Sequence, residues 1–513
     1  VTRTLAGEDE RDGALTSTFS YSAAGELQQV QLPDGAELTL VHDAAGREAS
    51  RSGGAFVQHR EYDVMGRLTR DMSGQQQDGR LHASQTREYL YDGAGNLAGA
   101  RHNREAAGYK LDATGRVLSV LSGGAGRTVE TDEAYRYTRN GLPQETARLT
   151  EWQAGRLTQH DDTHYQYDKA GRLIRKQVVQ PGYRPQVWHY RWDSRNQLRV
   201  VDTPTGERWF YRYDPFGRRT GKRCEQTSED IRYLWDGDQI ADVRHYRNGA
   251  LVSRRHWVHN GWELLVQQRQ NTDVRWETDF VTSSQNGEPQ AVFNPQGELR
   301  WRAPKSTLWG QRQSHLEENI DPGLAFAGQY RDTESGLCYN RFRYYDPAGG
   351  CYVSPDPASI LGGENNYGYV PNPNTWVDPF GLAGENVFIH YTDKVGFESI
   401  MKTGVLRPNA AGKVYITDIL MSPKDVMRDL LINDSLHIGR GDYAIIFKAD
   451  NHQLSNIVRN SEFEYIHSGK MKIGDTLYTG KNPYGVISDL PYEQRLRLSQ
   501  EQMKYRGKKC LKK

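Results

Sequence analysis

Aromatic and polar residues alternate with period two along much of the first 382 residues, in runs such as Tyr165-Gln166-Tyr167, Tyr190-Arg191-Trp192 and Tyr211-Arg212-Tyr213. That period puts both rings of a Tyr-x-Tyr run on one face of a β-strand. An Asp and, in most cases, a Gly follow each run, giving YDVMGRL at 62–68, YDGAGNL at 91–97, YKLDATGRV at 109–117, YQYDKAGRL at 165–173, YRWDSRNQL at 190–198 and YRYDPFGRR at 211–219. Each unit predicts strand, tight turn, strand: the Asp side chain bonds the turn and the Gly supplies a positive φ. Gly46, Gly66, Gly95, Gly115, Gly141 and Gly171 lie 20, 29, 20, 26 and 30 residues apart. Hairpins of such unequal length suit a wound sheet better than a rigid solenoid.

The pattern changes after Leu382. NVFIHYT (386–392) reads as a strand, and DKVGFESIMKTG (393–404) as an amphipathic helix with Phe397, Ile400 and Met401 on one face and Gly404 at its stop. GKVYITDI (412–419) is a second strand; SPKDVMRDLLIND (422–434) is a helix with Ser422 as N-cap and Pro423 in its first turn. DYAIIFKAD (442–450), EFEYIHSG (462–469) and KMKIGDTLYT (470–479) complete an α+β pattern long enough to bury its own core.

Composition marks the same boundary. All 11 Trp precede residue 383, the last being Trp376, whereas five Lys lie before the boundary and 13 after it. Residues 383–513 carry 20 Lys plus Arg against 15 Asp plus Glu, or +5, and the first part 46 against 50, or −4. A +5 domain can approach acidic partners, nucleic acid included, but does not require them. The low hydrophobic content, 36%, beside 11% aromatics fits a large thin β-structure wetted on one side. Cys224, Cys338, Cys351 and Cys510 lack CxxC spacing and framework density, so reduced thiols and no metal site are expected. No run approaches the ~18 apolar residues of a transmembrane helix. The opening VTRTLAGEDERDG has no signal-peptide pattern and begins in mid-repeat, so the chain is expected to continue a longer polypeptide.

The repeat units resemble the YD repeats of the Rhs family over roughly residues 10–382. The resemblance implies a mainly β fold, a hollow β-cocoon whose inner face encloses cargo. Residues 326–382 contain RYYDP, SPDP and DPFGL in that order and look like the Rhs-associated core, which in that family is an aspartyl autoprotease cutting after the last Leu. Carried over, Asp356 and Asp378 form the carboxylate pair, Arg343 the cation beside it, and Leu382 the residue before the cut; Asp346 is structural. Paired carboxylates suit the chemistry, since one serves as base toward water while the other donates to the carbonyl oxygen. The expected domains are 1–325, a YD-repeat β-cocoon; 326–382, the self-cutting segment; and 383–513, the cargo.

FIHYTDKVGFESIMKTGVLRPN, VYITD and EYIHSG together resemble ADP-ribosyltransferase toxins of the HYT subgroup. That resemblance implies a small α+β ADP-ribosyltransferase-like domain using NAD as co-substrate, without metal. His390 would hold the ribose, with Tyr391 and Thr392 completing the strand motif. Tyr415 would pack the nicotinamide, with Thr417 on the same face. Glu464 would be the catalytic carboxylate, and Glu462 two residues earlier makes an ExE pair that departs from a pure His-Tyr-Glu pattern. A fixed carboxylate suits the developing positive charge on a ribose that loses nicotinamide.

The two resemblances imply a secreted interbacterial toxin, delivered by type VI secretion through a spike and chaperone that engage the region preceding Val1, and countered by a cognate immunity protein. The expected target is a translation component in the recipient cytoplasm, elongation factor Tu ahead of ribosomal RNA. Two other classes stay open: a nuclease cargo in the same shell, which would need no NAD, and a non-enzymatic shell or adhesion protein, which would not arrest growth.

Overall fold

The computed structural model describes residues 1–5, 14–22, 26–103, 105–124, 130–271, 275–313, 319–357, 365–382, 387–409, 412–417, 423, 426, 439–448, 457–459, 465–473 and 476–482. They divide into two compact units, one of 1–356 with 367–382, the other of 357–366 with 383–513.

Two antiparallel meanders make up most of the first unit. Thirteen strands from Thr2–Leu5 to Pro143–Glu145 pair in chain order, and 15 more from Thr150–Gln153 to Leu299–Arg302 do the same. A turn built from one repeated set of bonds explains why sequence order becomes spatial order. Asp63 Oδ1 accepts from the backbone N–H groups of Met65 and Arg67, both at 2.9 Å, and Oδ2 accepts from Arg67 Nε at 2.7 Å. Asp43, Asp112, Asp168 and Asp214 bond Arg47, Arg116, Arg172 and Arg218 four residues on in the same way. The Arg47 hydrogen bond holds the Asp43 carboxyl below its ordinary value. The glycine takes a left-handed φ, 83° at Gly66 and 90° at Gly95, and in YRWDSRNQL Asn196 occupies that place at 60°.

These turns also bind each unit to the next. The Arg47 guanidinium lies 4.7 Å from the centre of the Tyr62 ring, and Arg67 lies 4.6 Å from that of Tyr91. Tyr62 and Tyr91 then donate to the carbonyls of Glu48 and Leu68, each at 2.8 Å. The arginine after the glycine therefore recognises the tyrosine of the following repeat.

Residues 326–356 and 367–382 belong to this unit. Their four-stranded antiparallel sheet, Tyr330–Asp332, Leu337–Asn340, Arg343–Asp346 and Cys351–Tyr352, is covered on both faces. Leu337, Tyr339, Tyr344 and Cys351 join the core of the second meander with Tyr165, Tyr190, Tyr211 and Trp257. Alternation along the strands turns Cys338, Tyr345 and Tyr352 the other way, onto Trp309, Phe326 and Tyr369. Charge fastens the hairpin end as well. Buried Asp332 accepts from Arg219 Nη2 and Lys222 Nζ, each at 2.9 Å, and Lys222 also reaches Glu334 at 2.7 Å. Cys224, Cys338 and Cys351 are buried free thiols; Cys510 lies outside the described residues.

In the second unit, Val387–Thr392 pairs with Tyr443–Lys448, which pairs with Thr476–Lys481. Lys413–Ile416 pairs with Tyr465–Ser468, which pairs with Ile457–Arg459. The two ladders meet where Ile389 and Thr417 exchange backbone bonds of 2.7 and 3.0 Å. The predicted first helix is Lys394–Thr403: Asp393 caps it by accepting from Gly396 N at 2.7 Å, and Gly404 ends it at φ 64°. Ile400 is buried and Phe397 packs on the core beside Tyr443, but Met401 is 45% exposed. The buried stripe runs through Gly396, Phe397 and Ile400, and Met401 falls beyond its edge. Of the second predicted helix, Pro423 and Val426 are described, both helical; Ser422 lies outside the described residues.

Candidate functional site

The predicted self-cutting residues converge. Arg343 begins the third strand of the four-stranded sheet, and its Nη2 lies 2.8 Å from Asp356 Oδ2 and 3.5 Å from Asp378 Oδ2. Its Nε donates to the Gly381 carbonyl, one residue before Leu382. All three charged residues are almost fully buried, so the guanidinium is the neutralising charge for both carboxylates. Asp378 also grips the end of its own loop: Oδ1 accepts from the Leu382 N–H at 3.0 Å.

The loop is held along its length. Phe342 N–H donates to the Phe380 carbonyl at 3.2 Å, and the Phe380 ring meets Trp262 edge-on at 5.3 Å. Gly381 has φ 71°, and a Cβ there would sit 2.7 Å from the Asn340 carbonyl oxygen, so DPFGL tolerates only glycine at that position. Asp346, by contrast, is fully buried against Lys176 Nζ at 3.2 Å, a partner 170 residues away along the chain.

Two residues of this cluster carried no signal in the sequence reading. Tyr352 donates to Asp378 Oδ2 at 2.7 Å, with the Arg343 guanidinium 3.6 Å from its ring centre. Asn340 Nδ2 donates to the Tyr352 hydroxyl and to the Asp378 main-chain carbonyl, each at 2.8 Å. Burial first, and then the Asp378 charge, push the Tyr352 phenol well above its ordinary value, so it remains a donor. Carboxylates beside DP turns are recognisable from spacing, whereas a neutral Asn and Tyr on the second and fourth strands of the sheet come together only once the strands pair.

In the second unit His390 and Tyr415 come together. The His390 Nδ1 atom lies 2.9 Å from the Tyr415 carbonyl oxygen, which can only accept, so Nδ1 carries the proton. Burial pulls the His390 pKa below its ordinary value, and the ring is neutral at neutral pH with Nε2 as its acceptor. Tyr415 is 37% exposed. Tyr391, Thr392 and Thr417 are buried, and Tyr391 and Thr392 support the strand and the start of the helix rather than offering side-chain surface. Thr417 thus differs from Tyr415 in exposure although the two share a strand face. Glu462 and Glu464 lie outside the described residues; Tyr465, the first residue described after them, pairs with Ile416. Among the described residues no group of three or more His, Cys, Asp and Glu could hold a metal ion, and no helix is long and apolar enough to cross a membrane.

Meanders of interlocked Tyr-Asp turns packed with a buried Asp–Arg–Asp cluster are the features of a YD-repeat shell. The family model described as Teneurin YD-shell matches residues 55–361, and the chain belongs to that family. Two relatives from Dickeya dadantii are named "Probable deoxyribonuclease RhsA", 75% identical over 390 residues, and "Probable deoxyribonuclease RhsB", 74% identical over 391. Each alignment covers 75% of this chain and 27% of the relative. "Double-stranded DNA deaminase toxin A" of Burkholderia cenocepacia is 28% identical over 407 residues, covering 70% of this chain and 27% of that protein. The chain thus spans about a quarter of the length of these curated relatives.

Proposed function

We propose that this chain is the shell and cargo portion of a secreted Rhs-type antibacterial toxin, in which the shell hydrolyses its own peptide bond after Leu382 and residues 383–513 act as an ADP-ribosyltransferase. The observation that carries the first half is the convergence of Asp356 and Asp378 on Arg343, with Asp378 bonded to the Leu382 N–H. Water adds to the Leu382 carbonyl carbon while one carboxylate takes its proton; the carbon–nitrogen bond then breaks and the amine of residue 383 leaves protonated. Arg343, through its bond to the Gly381 carbonyl, fixes the segment during this step.

The transferase half rests on the pairing of His390 with Tyr415. NAD supplies an activated ribose whose nicotinamide departs as positive charge develops. His390 fits such a ligand, because its Nδ1 proton is committed to the Tyr415 carbonyl and Nε2 can accept from a ribose hydroxyl. The half-exposed Tyr415 ring suits a flat aromatic group, and Glu464, with Glu462, is assigned the stabilising carboxylate. Elongation factor Tu is the proposed acceptor ahead of ribosomal RNA, +5 being modest for an RNA-directed domain. Type VI delivery, with spike and chaperone, and a cognate immunity protein complete the proposal.

The names of the Dickeya relatives favour a second reading, a nuclease cargo. Labelled NAD, bacterial lysate and a supercoiled plasmid decide between them, with the wild-type chain beside Glu464→Ala. Transfer of label by the wild type and its loss in the variant supports the transferase. Plasmid cutting without label transfer replaces it with the nuclease.

A further inference from the structure

We infer that Tyr352 and Asn340 are positioning residues for the self-cleavage, acting through Asp378; the inference rests on the self-cutting reading above. The direction of every bond in the relay is forced. The Asp378 main-chain carbonyl can only accept, so the amide nitrogen of Asn340 must face it, at 2.8 Å. The second hydrogen of that nitrogen goes to the Tyr352 oxygen, also at 2.8 Å. The phenol has one proton, and it points to Asp378 Oδ2 at 2.7 Å.

The relay therefore fixes Asp378 at two places, its backbone and its side chain. Leu382 N–H occupies the other carboxylate oxygen, so both oxygens accept from donors fixed in the fold and the side chain is held in one orientation. The relay itself cannot drift: Tyr352 and Asn340 are completely buried, Arg343 covers the Tyr352 ring at 3.6 Å, and the Tyr345 and Tyr369 rings lie 5.8 and 5.9 Å away. Tyr352 and Asn340 act through Asp378, the group they hold in place.

The test follows the full chain after synthesis in a cell-free system, measuring the first-order rate of separation after Leu382 by gel and intact mass. Tyr352→Phe should slow separation by roughly 10- to 100-fold, the range expected for a hydrogen bond to a charged group. Asn340→Ala should slow it to a similar degree, and the double variant should be no slower than about threefold below the slower single one, as for residues acting as one unit. Site-specific 3-fluorotyrosine at 352 preserves shape while changing donor strength, and should alter the rate at least about threefold. Tyr352→Phe at the wild-type rate, or full multiplicative losses in the double variant, would overturn the relay while leaving self-cutting in place. A Tyr352→Phe chain that fails to fold shifts the decision to 3-fluorotyrosine, where an unchanged rate overturns it. A wild-type chain that stays whole removes the self-cutting reading itself.

Discussion

The Arg343 cluster and the His390 pair are both proposed sites, yet they are made in opposite ways. Around Arg343 every charged group is buried and bonded to another element of the same unit, so the geometry is over-determined. Around His390 one backbone carbonyl fixes one ring, and the neighbouring Tyr415 stands half in solvent. A site that acts once on its own chain can be closed, because its substrate is part of the fold. A site that must admit a separate ligand leaves surface uncommitted, and its residues hold less of the structure together.

That contrast fixes the relative costs of mutation. The largest effect is expected for Arg343→Gln, which leaves Asp356 and Asp378 buried without their counter-charge. It should destabilise the first unit by about 3–5 kcal/mol in urea unfolding and abolish separation after Leu382. Tyr415→Ala is the opposite case: label transfer from NAD should fall at least about tenfold while stability changes by less than about 0.5 kcal/mol. Equal stability losses for the two substitutions would erase the distinction.

Smaller effects sharpen the comparison. Asp112→Ala removes a repeat-turn carboxylate that bonds Arg116 and should cost about 1 kcal/mol, read as a lower urea midpoint. Acid should loosen the His390 strand. Burial lowers the His390 pKa in the folded chain, so its contribution is complete above the unfolded value of about 6.5 and is lost as pH falls below it towards the folded value. Protection factors at Val387–Thr392, corrected for the slower intrinsic exchange at lower pH, should therefore fall between pH 7.5 and 5.5.

The sequence was legible where local chemistry repeats. Tyr-Asp-x-x-Gly predicted strand, turn and strand because each turn is bonded within five residues, and a change in composition marks the boundary after Leu382. The Arg343 group was legible as a motif, since Asp356, Asp378 and Arg343 each sit beside a recognisable turn or strand. Its supporting residues were not, because Asn340 and Tyr352 meet Asp378 only through strand pairing. Met401 escaped for a related reason: helical period locates a stripe but not its edge. An arginine follows the turn glycine at Gly46, Gly66, Gly115, Gly171 and Gly217, but its contact with a later tyrosine depends on the spacing between hairpins.

The most direct test of the account compares the wild-type chain with Asp378→Asn by intact mass and N-terminal sequencing. Two polypeptides are expected from the wild type, the second beginning at Ala383, and a single chain from the variant. An Asp378→Asn chain that still separates after Leu382, or a wild type that remains one polypeptide, would contradict it.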